Sequence, residues 1–414
     1  MKMIVKNIAT LYGFSRVPSS LKRGAEMMNF PAQSNAWLKV ESGKIADFGP
    51  MENYQPEWET SGTKVIDASG RMVLPSFCDS HTHIVFAKWR EQEFLYKLKG
   101  MSYEQIAASG GGILNSARAL QNTSEDELFE GALERLHEML RYGTASMEIK
   151  SGYGLTLKDE IKMLRVVKRL KESTRSNIKA TFLGAHAFPA EFRENRDKYV
   201  DLIVNEMLPA IASESLADYV DVFCDKGFFD VPQTDKILSA AAKFGLKPKI
   251  HANELDYSGG VQVGVKNNAV SVDHLECVGD EEIETLLHSN TIPTLLPGTA
   301  FFLNIEFPPA RKMLEAGLPL ALASDYNPGS SPSGNMMFAI VLACIKMKML
   351  PAEAFTAATL NSAYAMEVND ISGELAIGKD ADFYITDKGT ELAFLPYTYT
   401  KNHVYKAFVK GEEV

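Results

Sequence analysis

The sequence predicts an α/β protein: a TIM-like (β/α)8 barrel over residues 71–369, beside a small β-rich, sandwich-like domain formed by residues 1–70 and 370–414. Three observations predict it. Helix-like and strand-like segments alternate through the middle of the chain. Both ends consist of short strand-like runs broken by turn signals. Histidines and acids fall where the middle strands end.

The alternation is clearest from Ser124-Glu125-Asp126-Glu127, a capping box in which Ser124 and Glu127 satisfy each other's end of a first helical turn. Leu128, Ala132, Leu136 and Met139 recur at helical spacing, and Gly143 stands where a C-cap belongs. TASMEI (144–149) then reads as a buried strand. A helix over 158–173 leads to IKATFL, one over 197–213 to YVDVFC, and one over 233–244 to KPKIH. A short helical stretch leads to AVSVDH, DEEIETLLHS to TIPTLL, and PPARKMLEAG to PLALASD. With the strand that carries His81 this makes eight strands joined through helical connections, the pattern of a parallel barrel.

The ends differ in texture. MIVKNIATLYG, AWLKVESGKIADFG and TKVIDA precede the barrel, and GELAIGKDADFYITD and HVYKAFVKGEEV follow it. A single β-rich domain assembled from both termini is the simplest arrangement.

Composition narrows the function. The chain has 414 residues, 45% of them apolar, and a net charge of −10 with a pI near 5.4. That charge argues against nucleic acid or an anionic membrane as partner. The apolar run MMFAIVLACI (336–345) is too short to span a bilayer, and Lys6 interrupts an N-terminus that shows no leader cleavage site. Four cysteines lie scattered without a CxxC, the pattern of reduced thiols in a cytoplasmic protein.

In a parallel barrel, chemistry belongs to the C-terminal ends of the strands. Those positions hold His81 and His83, Glu148 and Lys150, His186, Cys224 and Asp225, His251, His274 and Asp325. Five of the chain's eight histidines are among them. His81 and His83 are two apart on one strand, so both imidazoles face the barrel interior. Such a pair alone is often just two polar strand residues. With His251 and Asp325 it becomes three imidazoles and a carboxylate, a set that suits zinc or iron. A metal of this kind activates water against a carbonyl, and Asp325 and His274 are the candidate bases. Glu254, three past His251, reaches the same cavity. Lys150 reads as an ion-pair partner, Lys226 as a solvated residue rather than a carboxylated metal bridge, and His137, His288 and His403 as surface or packing residues.

These pieces resemble the amidohydrolase superfamily of metal-dependent hydrolases. SHTHIVFA with Arg90, MSYEQIAASGGGIL, EIKSGYGL, FLGAHAFP, DVFCD, HANEL, VDHLE, LPGTAFFL and ASDYNPGSSP carry the resemblance over most of the barrel. They point to the branch that opens a cyclic amide. It implies 4-imidazolone-5-propanoate as substrate, N-formimino-L-glutamate as product, one zinc or iron ion per chain and a homodimer. It further implies that Arg90 forks onto the propanoate, that Tyr153 and His186 contact substrate, and that Glu254 holds a ring N–H. Asn327, Gly329 and Ser330 would line the pocket with amide, backbone and hydroxyl hydrogen bonds. A second reading, a metal-dependent deaminase of another heterocycle, has less need of Arg90. A third, a non-catalytic assembly protein, should have lost metal ligands that this chain retains.

Overall fold

A computed structural model of the chain describes residues 2–101, 105, 111–389 and 391–414. Residues 102–104 and 106–110, in the motif MSYEQIAASGGGIL, lie outside the described residues. Among the described residues, eight parallel strands stand side by side in chain order: β1 (Phe77–Thr82), β2 (Thr144–Lys150), β3 (Asn177–Ala185), β4 (Tyr219–Cys224), β5 (Ile250–Ala252), β6 (Ser271–His274), β7 (Ile292–Leu295) and β8 (Ala321–Leu322). The seam between β8 and β1 is closed by backbone bonds just past β8. Asp325 N–H donates to His81 O at 3.0 Å, and His83 N–H donates to Tyr326 O at 2.9 Å. Asp79 reinforces the seam by accepting from Ser324 N–H at 3.0 Å.

The helices form where their caps and periodicity place them. Glu127 N–H donates to Ser124 Oγ at 3.2 Å and Ser124 N–H donates to Glu127 Oε2 at 3.0 Å, opening the helix Glu125–Arg141. Gly143 ends it with φ +88°, a conformation that glycine adopts without strain. The helix expected over 197–213 is instead three pieces, Arg196–Leu202, a wide π-helical turn Ile203–Met207, and Leu208–Ser213. Pro209 has no N–H for the carbonyl four residues back, and the ladder widens just before it.

The terminal segments share one sheet. Lys2–Tyr12, Ala32–Glu41, Lys44–Pro50 and Thr63–Asp67 join Phe383–Lys388, Val404–Val409 and Glu412–Glu413 through the strand Arg71–Pro75. That strand runs parallel to the first and antiparallel to Phe383–Lys388, so it ties the two ends of the chain together. A two-stranded ribbon, Phe14–Ser15 with Leu375–Ala376, packs Phe14 and Leu375 onto the same apolar core.

Helices cover the barrel outside and neighbouring strands crowd it inside, so every residue of β1, β2, β4 and β6 is buried. Buried parallel strands ordinarily read as continuous apolar runs. These four carry Asp79, His81, Glu148, Lys150, Asp221, Asp273 and His274 instead. Among the described residues no helix is long and apolar enough to cross a membrane.

Candidate metal centre and substrate pocket

β1 delivers His81, and His83 follows one residue past its end. Their Nε2 atoms lie 3.2 Å apart, and Asp325 Oδ1 is 3.5 Å from each. Three donor atoms in a near-equilateral triangle of that size match ligands about 2.0–2.2 Å from one shared ion, whose tetrahedral edges are about 3.4 Å. The other oxygen of Asp325 is held by the Thr299 hydroxyl. His251 comes from β5, its ring centroid 4.4 Å from that of His81, and its Nε2 is buried without a hydrogen-bond partner. Burial, with the Lys150 charge and neighbouring imidazoles, holds His81 well below its usual pKa, and burial beside His186 and His251 does the same for His83. Neutral imidazoles are what a metal needs. The donor set therefore fits a metal ion: the donor atoms of His81, His83 and Asp325 lie within 4.8 Å of one another, and so do those of His81, His251 and His274.

Two of the imidazoles are oriented from behind. His81 Nδ1–H donates to Asp273 Oδ2 at 2.6 Å, and His251 Nδ1–H donates to Asp221 Oδ1 at 3.0 Å, leaving both Nε2 lone pairs for the centre. The two carboxylates face one ammonium. Lys150 Nζ is 2.8 Å from Asp221, 3.6 Å from Asp273 and 2.6 Å from Glu148. Burial would lower the pKa of Lys150, but these three acids raise it, so it stays charged. Glu148 also accepts from Lys249, and every side chain of this network is fully buried. Lys150 and Glu148 were visible as strand-end residues. Asp221, Asp273 and Lys249 were missed, although a charge in the middle of YVDVFC, SVDH or KPKIH is the signal that finds them.

His274 ends β6 with φ +86°, a left-handed conformation costly for a non-glycine residue. Its ring sits between two acids, with Nε2 3.7 Å from Glu254 and Nδ1 3.6 Å from Glu276. Burial opposes a charge there, but Glu254 and Glu276 push its pKa up to about 10. The two acids thus favour the charged imidazolium. Glu254 is held in place by Asp225, which accepts its N–H at 2.8 Å and that of Leu255 at 2.9 Å. Glu276, buried with neither oxygen hydrogen-bonded, escaped the sequence reading.

Around this centre, the Tyr153 and His186 rings are tilted by 47° with centroids 5.3 Å apart, and His186 stacks on His83 at 5.4 Å. Glu160 staples the SGYG loop, accepting N–H bonds from Gly152, Gly154 and Leu155 at 3.1, 2.7 and 2.9 Å. A Cβ on Gly154 would stand 2.4 Å from Glu160 N. Gly154 thus admits the chain's own helix start. Arg90 is 11% exposed, its Nε 3.7 Å from Glu93 and its Nε and Nη1 without hydrogen-bond partners among the described residues. Its charge is felt at His186, which burial and His251 bring down to about 3.

The loop after Asp325 is shaped by Asn327, which accepts from Gly329 N–H and Ser330 N–H at 2.8 Å each and donates to Asp325 O and Ser330 Oγ. The Asn327 amide and the Gly329 N–H are therefore engaged within the loop, because a short turn must satisfy its own backbone. Lys226 is exposed and paired with Asp256 at 3.1 Å, as a solvated residue should be.

The amidohydrolase family model matches residues 72–414. The imidazolonepropionase of Christiangramia forsetii is 50% identical over 412 residues, covering 100% of both chains. That of Flavobacterium johnsoniae is 51% identical over 412 residues with the same coverage. Among solved structures, guanine deaminase from E. coli superposes with a TM-score of 0.72 at 14% identity, over 100% of this chain and 99% of that one, a likeness of fold.

Proposed function

The chain belongs to the amidohydrolase family and, within it, to the imidazolonepropionases, and from that premise we propose how its residues act. It hydrolyses a C–N bond of a cyclic amide in histidine degradation: 4-imidazolone-5-propanoate is opened to N-formimino-L-glutamate. We assign His81, His83, His251 and Asp325 as the holders of one metal ion, zinc or iron. When bound, such an ion polarises a carbonyl and acidifies water.

The protein's own groups supply the rest. Arg90 forks onto the propanoate, since its unpartnered buried nitrogens suit a bidentate carboxylate. Tyr153 and His186 flank the ring, and Glu254 accepts a ring N–H, turning the carbonyl toward the centre. The His274 imidazolium donates toward the oxygen on which negative charge develops. Asp325 takes a proton from the attacking water and returns it to the ring nitrogen as the C–N bond breaks. Water oxygen ends on the carbonyl carbon and the nitrogen leaves protonated.

One observation carries the substrate class: Arg90 is nearly buried beside a histidine-rich centre with two nitrogens unpartnered. Arg90→Met should raise KM for imidazolonepropanoate about 100-fold, the scale of a lost charged bidentate contact. A KM unchanged by that substitution would remove the carboxylate clamp and favour a deaminase of an uncharged heterocycle. A cytoplasmic setting and a homodimer accompany this reading; sedimentation of the purified protein tests the second.

A further inference from the structure

Gly329 has no side chain at a place where its backbone would accept one. Its φ is outside the left-handed region that favours glycine, so conformation does not demand the residue. Space does. A Cβ built on Gly329 would stand 1.1 Å from Arg90 Nη2, 1.9 Å from its Cζ and 2.3 Å from its Nε. The guanidinium therefore lies directly against the Gly329 backbone, in the volume that any other residue would fill.

Among the described residues, little else fixes that guanidinium. Glu93 is 3.7 Å away, beyond a hydrogen bond, and its other oxygen accepts from Gly112 N–H and Asn115 Nδ2 at 3.0 and 3.2 Å. The loop beneath is firm by comparison. Asn327 accepts the N–H groups of Gly329 and Ser330, and Pro328 O accepts Arg90 N–H at 3.3 Å. The arginine's backbone and its head group thus rest on the same short turn.

We infer that Gly329 is a positioning residue that determines specificity for carboxylate-bearing substrates, through the place its missing side chain leaves for Arg90. The inference rests on the clamp role of Arg90 proposed above. It assigns Gly329 a task other than touching the substrate: the turn sets how far the guanidinium stands from the ring-binding centre. A Cβ there would push the fork away from the carboxylate, although the metal-holding and proton-transferring groups stay where they are.

The test is a double-substitution cycle read in KM and kcat with imidazolonepropanoate. Gly329→Ala should raise KM at least about tenfold and change kcat less than about threefold. In an Arg90→Met background the same Gly329→Ala change should alter KM less than about twofold, because the methyl then has nothing to displace. A second measurement keeps the background folded by making room first. Guanidinium ion added to Arg90→Ala should lower its KM, and the same ion added to Arg90→Ala/Gly329→Ala should not. A wild-type KM in Gly329→Ala, effects that multiply in the double variant, or equal guanidinium rescue in both backgrounds would overturn the inference. The clamp itself fails separately, if Arg90→Met leaves KM at the wild-type value.

Discussion

Lys150 and Asp221 form a 2.8 Å ion pair with neither side chain exposed, and Asp221 is also the acceptor for His251 Nδ1. The same lysine stands 3.6 Å from Asp273, the acceptor for His81. Two imidazoles contributed by strands far apart in sequence are thereby oriented through one buried ammonium. Partners of this kind raise ligand basicity and fix which ring nitrogen faces the ion. Asp221→Asn should therefore weaken metal binding about 10–100-fold, read by competition with a chromophoric chelator. Metal affinity equal to wild type would separate the network from the centre.

His274 rests between two acids, and only one of them, Glu254, faces a ring nitrogen that also serves substrate in this account. Glu276 lies on the other side, 3.6 Å from Nδ1. Its removal should leave His274 free to turn and less able to hold a proton. Glu276→Ala should lower kcat about 100-fold with KM changed little, the scale of an impaired oxyanion-stabilising donor. An equal loss in KM instead would assign Glu276 to ground-state binding.

Glu160 holds three backbone N–H groups of the loop that carries Tyr153. Burial raises its pKa, and those same donors offset part of the rise. Glu160→Ala leaves the donors without their acceptor and should cost about 3 kcal/mol or more of stability. The urea midpoint measures this, and KM should rise with it as Tyr153 loses its support. A midpoint within about 0.5 kcal/mol of wild type would contradict the staple.

The secondary-structure rhythm and the strand-end histidines were legible because both are local. Periodicity writes the helices, and a histidine at the end of an apolar run stands out. The supporting acids were less so. Glu160 and Glu93 sit in the first turns of helices, where an acid ordinarily favours the helix terminus and faces water. Only the tertiary fold turns Glu160 onto a glycine loop and Glu93 toward Arg90. Gly329 is harder still, since nothing in NPGSSP says that a side chain from residue 90 will claim its space.

Asp382 offers a pH test away from the centre. Burial raises its pKa from 3.8 to about 6, partly offset by Lys410 N–H, while Asp380 adds to the rise. An acid raised on folding binds its proton more tightly in the native state than in the unfolded one. Stability from this group is full below about pH 3.8 and is lost as pH climbs through about 6, by about 3 kcal/mol at most. Asp382→Asn should remove that fall. Melting temperatures of the two proteins should diverge between pH 4 and 6.5 in slope, and parallel curves would refute the assignment.

The central claim is metal-dependent opening of the imidazolone ring. Purified protein mixed with fresh imidazolonepropanoate should discharge the ring's ultraviolet absorbance and yield N-formimino-L-glutamate. Chelation should abolish turnover, and zinc or iron should restore it. Metal-loaded, folded protein that leaves this substrate intact would contradict the account.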